Sequence, residues 1–152
     1  MPIQSKSVPE HTTKIRVRYA ETDQMGVAYH ANYLVWMEVA RTELCRSLGF
    51  NYREMEGEDG VLLAVTEAHC RYLSAARYDD DVAIVASLAG ANRRFVTFDY
   101  EISCDSRRLA VGQTKHIFLS KDFRPIRLPD KYAPLFGLPQ ETTGQVVSEN
   151  RP

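Results

Sequence analysis

Neither sign of charge dominates this chain of 152 residues: nineteen Lys plus Arg stand against twenty Asp plus Glu, a formal net charge of -1. That balance argues against the broad basic field with which a domain gathers nucleic acid or an anionic membrane surface, so neither partner is expected. Cysteine is scarce and odd in number, with Cys45, Cys70 and Cys104 widely spaced and no CxxC pair. Such a set suits neither a disulfide framework nor a zinc site. Packed free thiols in a reducing compartment are expected instead, with the cytoplasm as the default. No hydrophobic run approaches the length of a bilayer span, and residues 1–13 lack the apolar segment of a secretory signal, so membrane insertion is not expected. The four histidines, His11, His30, His69 and His116, form no HxH, HxxxH or HxxE pattern, which leaves no expected metal site. Phosphate-cradling and dinucleotide glycine motifs and the G-x-S-x-G elbow are missing too, and no cofactor is called for.

What is present suits one ordinary domain. Hydrophobic residues make up 44% and charged residues 26%, in a chain long enough for one core and too short for two. Residues 1–12 read as a loose arm, 13–125 as the folded domain and 126–152 as a Pro-rich tail that drapes without further regular structure. The first strand is expected over Lys14–Tyr19, with Ile15, Val17 and Tyr19 on one face and Lys14, Arg16 and Arg18 on the other. From Ala31 to Leu48 the period lengthens, and Tyr33, Met37, Ala40, Leu44 and Leu48, joined by Leu34 and Trp36, predict a long amphipathic helix stopped by Gly49. Glu38 and Arg41, three apart, are expected to pair on its polar side. The acidic stretch Phe50–Gly60 reads as a solvated loop with one helical turn at most. Four strands follow over Val61–Leu73, Val82–Ala89, Arg94–Cys104 and Leu109–Leu119, the third alternating cleanly from Val96 to Cys104. Short turns at Gly90–Arg93 and Asp105–Arg107 imply antiparallel hairpins. The fold class is therefore α+β, ordered β-α-β-β-β-β, a five-stranded antiparallel sheet wrapped around one central helix that covers its apolar face.

Chemistry concentrates between Tyr19 and Tyr33. Asp23 stands alone as a carboxylate between Glu21 and Glu38, Gly26 permits a tight turn, and the long helix begins near His30 or Asn32. Leading amides of a helix lack intrahelical partners and carry the positive end of its dipole, so a developing oxyanion could sit beside Asp23. Asp23 also suits a purely structural role in the turn. His69 and His116 fall in alternating strands and read as partly buried, hydrogen-bonded side chains.

The run Tyr19-x-Glu21-Thr22-Asp23-x-x-Gly26-Val27-x-Tyr29-His30-x-Asn32-Tyr33-Leu34-x-Trp36-x-Glu38-x-Ala40-Arg41 closely resembles the hotdog-fold acyl-CoA thioesterases of the 4-hydroxybenzoyl-CoA thioesterase type, including their Tol-Pal-associated bacterial branch. Arg77-Tyr78-Asp79-Asp80 and Phe95-x-x-Phe98-x-Tyr100-Glu101-Ile102 fit the same family, and the likeness spans roughly residues 13–125. Ala75 departs from it, standing where relatives often have proline. The resemblance implies a hotdog fold, homodimers or homotetramers with joined sheets, and active sites at the subunit interface. It implies acyl-CoA hydrolysis with Asp23 as nucleophile or general base and the backbone N–H of His30 polarising the thioester carbonyl. Tyr29, Asn32 and Tyr33 would border the substrate, with Trp36 and Met37 as further candidates for the acyl pocket. Arg71, Arg93 and Arg94, beside Lys115 and Lys121, would be candidates for the coenzyme A phosphates. Two other readings fit the same residues: a hotdog dehydratase of hydroxyacyl thioesters using His30 and Glu38, and a non-catalytic acyl-thioester-binding scaffold.

Overall fold

A computed structural model describes residues 8–140. The elements run β1 (Glu10–Arg16), a 3-10 turn (Tyr19–Glu21), α1 (Asn32–Ser47), α2 (Tyr52–Asp59), β2 (Leu62–Tyr72), β3 (Asp81–Ala91), β4 (Phe95–Cys104), β5 (Arg107–Leu119) and a second 3-10 turn (Ala133–Phe136). The strands form one antiparallel sheet of five in the order β1-β3-β4-β5-β2, the expected hotdog architecture. Its inward face is set by the alternation read from the sequence: Val82, Ile84, Ala86 and Leu88 on β3, and Val96, Phe98, Tyr100 and Ile102 on β4, are all buried. Against them α1 lays Tyr33, Trp36, Met37, Ala40, Leu44 and Cys45, a stripe at helical spacing.

Several expectations need correction. β1 begins at Glu10 and ends at Arg16, so Tyr19 leaves the strand pattern; it is 73% exposed and stacks on Tyr78 with centroids 3.7 Å apart. Leu34 faces outward beside Val35 and Val39, because the buried stripe is centred on Trp36 and Met37. Arg41 sits on that inward stripe while Glu38 is exposed, so the expected ion pair does not form. Instead Arg41 donates from Nη1 to the Tyr100 hydroxyl at 3.1 Å, Tyr100 and Thr114 share a hydrogen bond of 2.6 Å, and Thr114 meets His116 Nε2 at 2.8 Å. The acidic stretch expected as a loop forms the two-turn helix α2, with Asn51 Oδ1 capping the Glu54 amide at 2.8 Å and Gly60 in the left-handed region closing it. Met55, fully buried, anchors it to the core.

The Pro-rich stretch contains a regular turn as well, and its first half is packed. Leu128, Tyr132, Ala133 and Phe136 are buried, and the Phe136 ring lies 5.5 Å from Phe50 and 5.9 Å from Phe118. Arg93 fastens this segment, donating to the Leu128 carbonyl at 2.7 Å, to Asp130 Oδ1 at 2.6 Å and to the Pro139 carbonyl at 2.7 Å. Residues 1–7 of the expected arm and 141–152 of the expected tail lie outside the described residues.

Burial, together with the positive charge of Arg41, pushes the His116 imidazole down from 6.5 to about 3. A folded-state value below the unfolded one means that the unfolded chain takes up more protons between these limits, so stability is lost as pH falls from about 6.5 towards 3. We expect the denaturant midpoint to decline across that window, and His116→Gln, which removes the titrating group, to flatten the decline.

Candidate active site

After β1 the chain makes the 3-10 turn and then a narrow loop that leads into α1. Within the loop the Asp23 amide donates to the Val27 carbonyl at 2.9 Å and the Gly26 amide to the Asp23 carbonyl at 3.0 Å. Gly26 closes this turn at φ 79, where a side chain would be strained. The Asp23 carboxylate accepts the Met25 amide on Oδ1 at 2.9 Å, an Asx-type turn that fixes its orientation. Ala28 then ties the loop to the segment after β2, donating to the Ala76 carbonyl at 2.8 Å.

Glu21 holds the whole arrangement to the helix. Its buried carboxylate accepts the Trp36 indole N–H at 2.7 Å on one oxygen, and the Arg18 amide at 2.9 Å and Arg18 Nε at 3.3 Å on the other. Its carbonyl accepts the Tyr29 amide at 2.7 Å and Asn32 Nδ2 at 2.8 Å. Burial alone would raise the Glu21 carboxyl, but the bonds from Trp36 and Arg18 outweigh it and leave the group below its ordinary value. The sequence pattern did not single this residue out. The signal was Trp36, whose indole N–H needs an acceptor once the ring is buried.

The loop, α1 and the end of β2 enclose a pocket of about 230 Å³. Asp23, His30 and Tyr33 line one side, and Tyr72, Ser74 and Ala75 the other. Tyr72 donates its hydroxyl to the His30 carbonyl at 2.8 Å and sets its ring edge-on to Tyr33 with centroids 5.0 Å apart. Among the described residues the backbone amides of His30 and Ala31 donate to no protein acceptor, whereas the Asn32 amide is taken by the Tyr29 carbonyl at 3.0 Å. The pocket thus combines mostly apolar walls with one carboxylate and, at the helix entrance, His30 with its free amide.

Of the residues expected at a site, Asp23, His30 and Tyr33 come together here. Asn32 stands behind the loop as its brace, and Tyr29 lies exposed against the His30 ring at 4.5 Å. Arg71 points to the outer face of the sheet, where it borders a separate hollow with His69, Asp99 and Glu101. Arg94 is exposed at the β3–β4 turn, and Arg93 is engaged in the clamp described above, which withdraws it from any ligand. Lys115 pairs with Glu67 at 3.3 Å, and the Lys121 stem packs over Gly60. Glu38 lines a different hollow with Thr42 and Arg46, so within one chain it does not meet His30.

The thioesterase superfamily profile matches residues 25–111, more than half of the chain. The chain belongs to that superfamily. It is a hotdog-fold enzyme that hydrolyses thioesters. Bacillus subtilis YneP, described as a candidate acyl-CoA thioesterase, is 41% identical over 77% of this chain and 87% of its own length. Among solved structures, the DHNA-CoA thioesterase of Staphylococcus aureus is 36% identical and superposes with a TM-score of 0.78 over 93% of each chain. A 4-hydroxybenzoyl-CoA thioesterase structure, at 18% identity and a TM-score of 0.78 over 85% of this chain and 99% of that one, shares the fold.

Glu21→Gln keeps the shape of the side chain but presents an amide N–H₂ where one of its donors now points. We expect a loss of about 2 kcal/mol in denaturant unfolding, the order of a buried charge-assisted hydrogen bond, with activity falling further than stability because the Asp23 loop loosens.

Proposed function

We propose that the thioesters hydrolysed are acyl-CoAs and that Asp23 is the carboxylate that acts on them. The observation that carries this reading is the pocket itself, which is lined both by a carboxylate held by the Met25 amide and by His30, whose own amide has no protein acceptor among the described residues. With the His30 N–H donating to the thioester oxygen, charge developing on that oxygen meets a donor already in place. Asp23 then either adds to the carbonyl carbon, giving an anhydride that water opens, or takes a proton from water as it adds. In both routes the carbon–sulfur bond breaks, the electron pair leaves on sulfur, and free acid and coenzyme A result. Tyr72 fixes the His30–Ala31 peptide through the His30 carbonyl, which supports a positioning role for it. The names of YneP and of the Staphylococcus aureus enzyme favour an acyl-CoA substrate. Exposed Arg71 and Arg94 remain the cations offered to its phosphates. Free thiols at Cys45, Cys70 and Cys104 support a reducing, cytoplasmic setting.

The same reading includes a homodimer joined along β2. That strand is a sheet edge of eleven residues on which Val65 and Tyr72, with Leu73 just beyond, are 53%, 45% and 46% exposed. The opposite edge, β1, is guarded by Lys14 and Arg16, paired with Asp81 and Asp79. Because Tyr72 belongs both to the β2 edge and to the pocket wall, a second copy would border the site. Pairing into homotetramers would have the outward apolar stripe Leu34, Val35 and Val39 of α1 to use.

A thiol-release assay over an acyl-CoA panel tests the chemistry. Asp23→Asn should lower turnover about 10²–10⁴-fold with the melting temperature little changed. Tight binding of acyl-CoA with no release by the unaltered protein would favour the scaffold reading. Val65→Arg should move the mass measured by light scattering towards the 17.3 kDa of one chain.

A further inference from the structure

We infer that Met37 sets the depth of the acyl pocket and so selects the length of the acyl group; this rests on the acyl-CoA reading above. Cross-strand rows give the order of layers beneath α1. Tyr72 pairs with Ala110 and Ala110 with Ile102; one row further along, Cys70 pairs with Gly112 and Gly112 with Tyr100. Tyr33 and Tyr72, the edge of one ring against the face of the other, both line the pocket over the first row. Met37, one helical turn after Tyr33, lies over the second.

The fit there is specific. A Cβ built on Gly112 would stand 2.2 Å from the Met37 terminal methyl and 2.7 Å from the His69 carbonyl. The tip of Met37 therefore occupies the room that a side chain at 112 would fill. Gly112 and Cys70 in this row are small, and the long side chain of Met37 fills the layer above them from the helix side. It is fully buried, unbranched and apolar, the kind of side chain that re-packs at low cost. Behind it the hydrogen-bonded chain Arg41–Tyr100–Thr114 forms a polar floor. An acyl chain passing Tyr33 and Tyr72 meets the Met37 tip first, and the polar floor limits how far any added room extends.

The experiment measures kcat/KM over a straight-chain acyl-CoA series for the unaltered protein, Met37→Ala and Met37→Phe, with melting temperatures. Met37→Ala removes three heavy atoms, so the preferred chain should lengthen by two or three carbons. At about fourfold per buried methylene, the preference for long over short chains should rise roughly 15- to 60-fold. Met37→Phe should shift the profile the other way. If Met37→Ala does not fold, Met37→Val carries the same test with a smaller shift. An unmoved profile in an active Met37→Ala or Met37→Val enzyme, or shifts of the same sign in Met37→Ala and Met37→Phe, overturns the inference and leaves the hydrolase reading standing. No thiol release by the unaltered protein from any acyl-CoA overturns both.

Discussion

Burying a carboxylate is costly unless donors surround it, and in this fold the cost is met by the groups that must be held still. Glu21, 4% exposed, takes hydrogen bonds from Trp36 in the helix and from Arg18 before the turn. Through its carbonyl it also takes Tyr29 and Asn32, the residues that flank His30 and Ala31. One residue thus ties the strand that delivers Asp23, the loop that orients it and the helix whose entrance offers free amides. Displacing Glu21 would leave an indole N–H without an acceptor in the core and would release the side of the pocket built from the loop and the helix entrance. The geometry of the pocket and the folding of the helix entrance are, in this sense, the same set of bonds.

The sheet contributes the rest of the site by running out beside it. Strand β2 is an edge, and its last residue, Tyr72, reaches across to the His30 carbonyl. Ser74 and Ala75 continue the wall. Asp23 and Tyr72 come from opposite ends of the sheet order, β1 and β2, and meet only because α1 lies across the face between them. A small sheet with one covering helix therefore creates a pocket at the helix entrance, where its two margins converge on unsatisfied backbone groups.

Much of this was legible in the sequence wherever apolar periodicity carries the information. The alternation in β4 and the four-three spacing of α1 give the sheet face and the helix face directly, and the crowding of Asp23, Gly26 and His30 before the helix falls where the pocket forms. The corrections share a different cause. Charge is read as exposure, which puts Arg41 on the polar side, yet the Tyr100 hydroxyl gives it a place to go inside, and that partner is 59 residues away in sequence. Helix α2 has one apolar anchor, Met55, which is too little for a periodic signal; its boundaries are set by Asn51 and Gly60 instead. Leu128, Tyr132 and Phe136 sit among prolines that break regular structure, so their burial depends on Phe50, Phe118 and Arg93, contacts that no local pattern contains.

The polar chain inside the core explains why the helix sits where it does. Apolar stripes alone tolerate sliding, since one methyl packs against the next nearly as well. The link from Arg41 through Tyr100 and Thr114 to His116 has no such freedom: each hydroxyl accepts and donates at one separation, and burial keeps the imidazole neutral beside the guanidinium. Moving α1 by a turn would strand Arg41 without its partner, a penalty far larger than the net worth of the bond itself. Glu21 with Trp36 pins the helix entrance, Arg41 with Tyr100 pins it two turns in, and Met37 lies between these two fixed points against Gly112. The rigid ends leave the apolar middle as the part of the helix where side chains can re-pack without disturbing the bonds that hold the helix entrance.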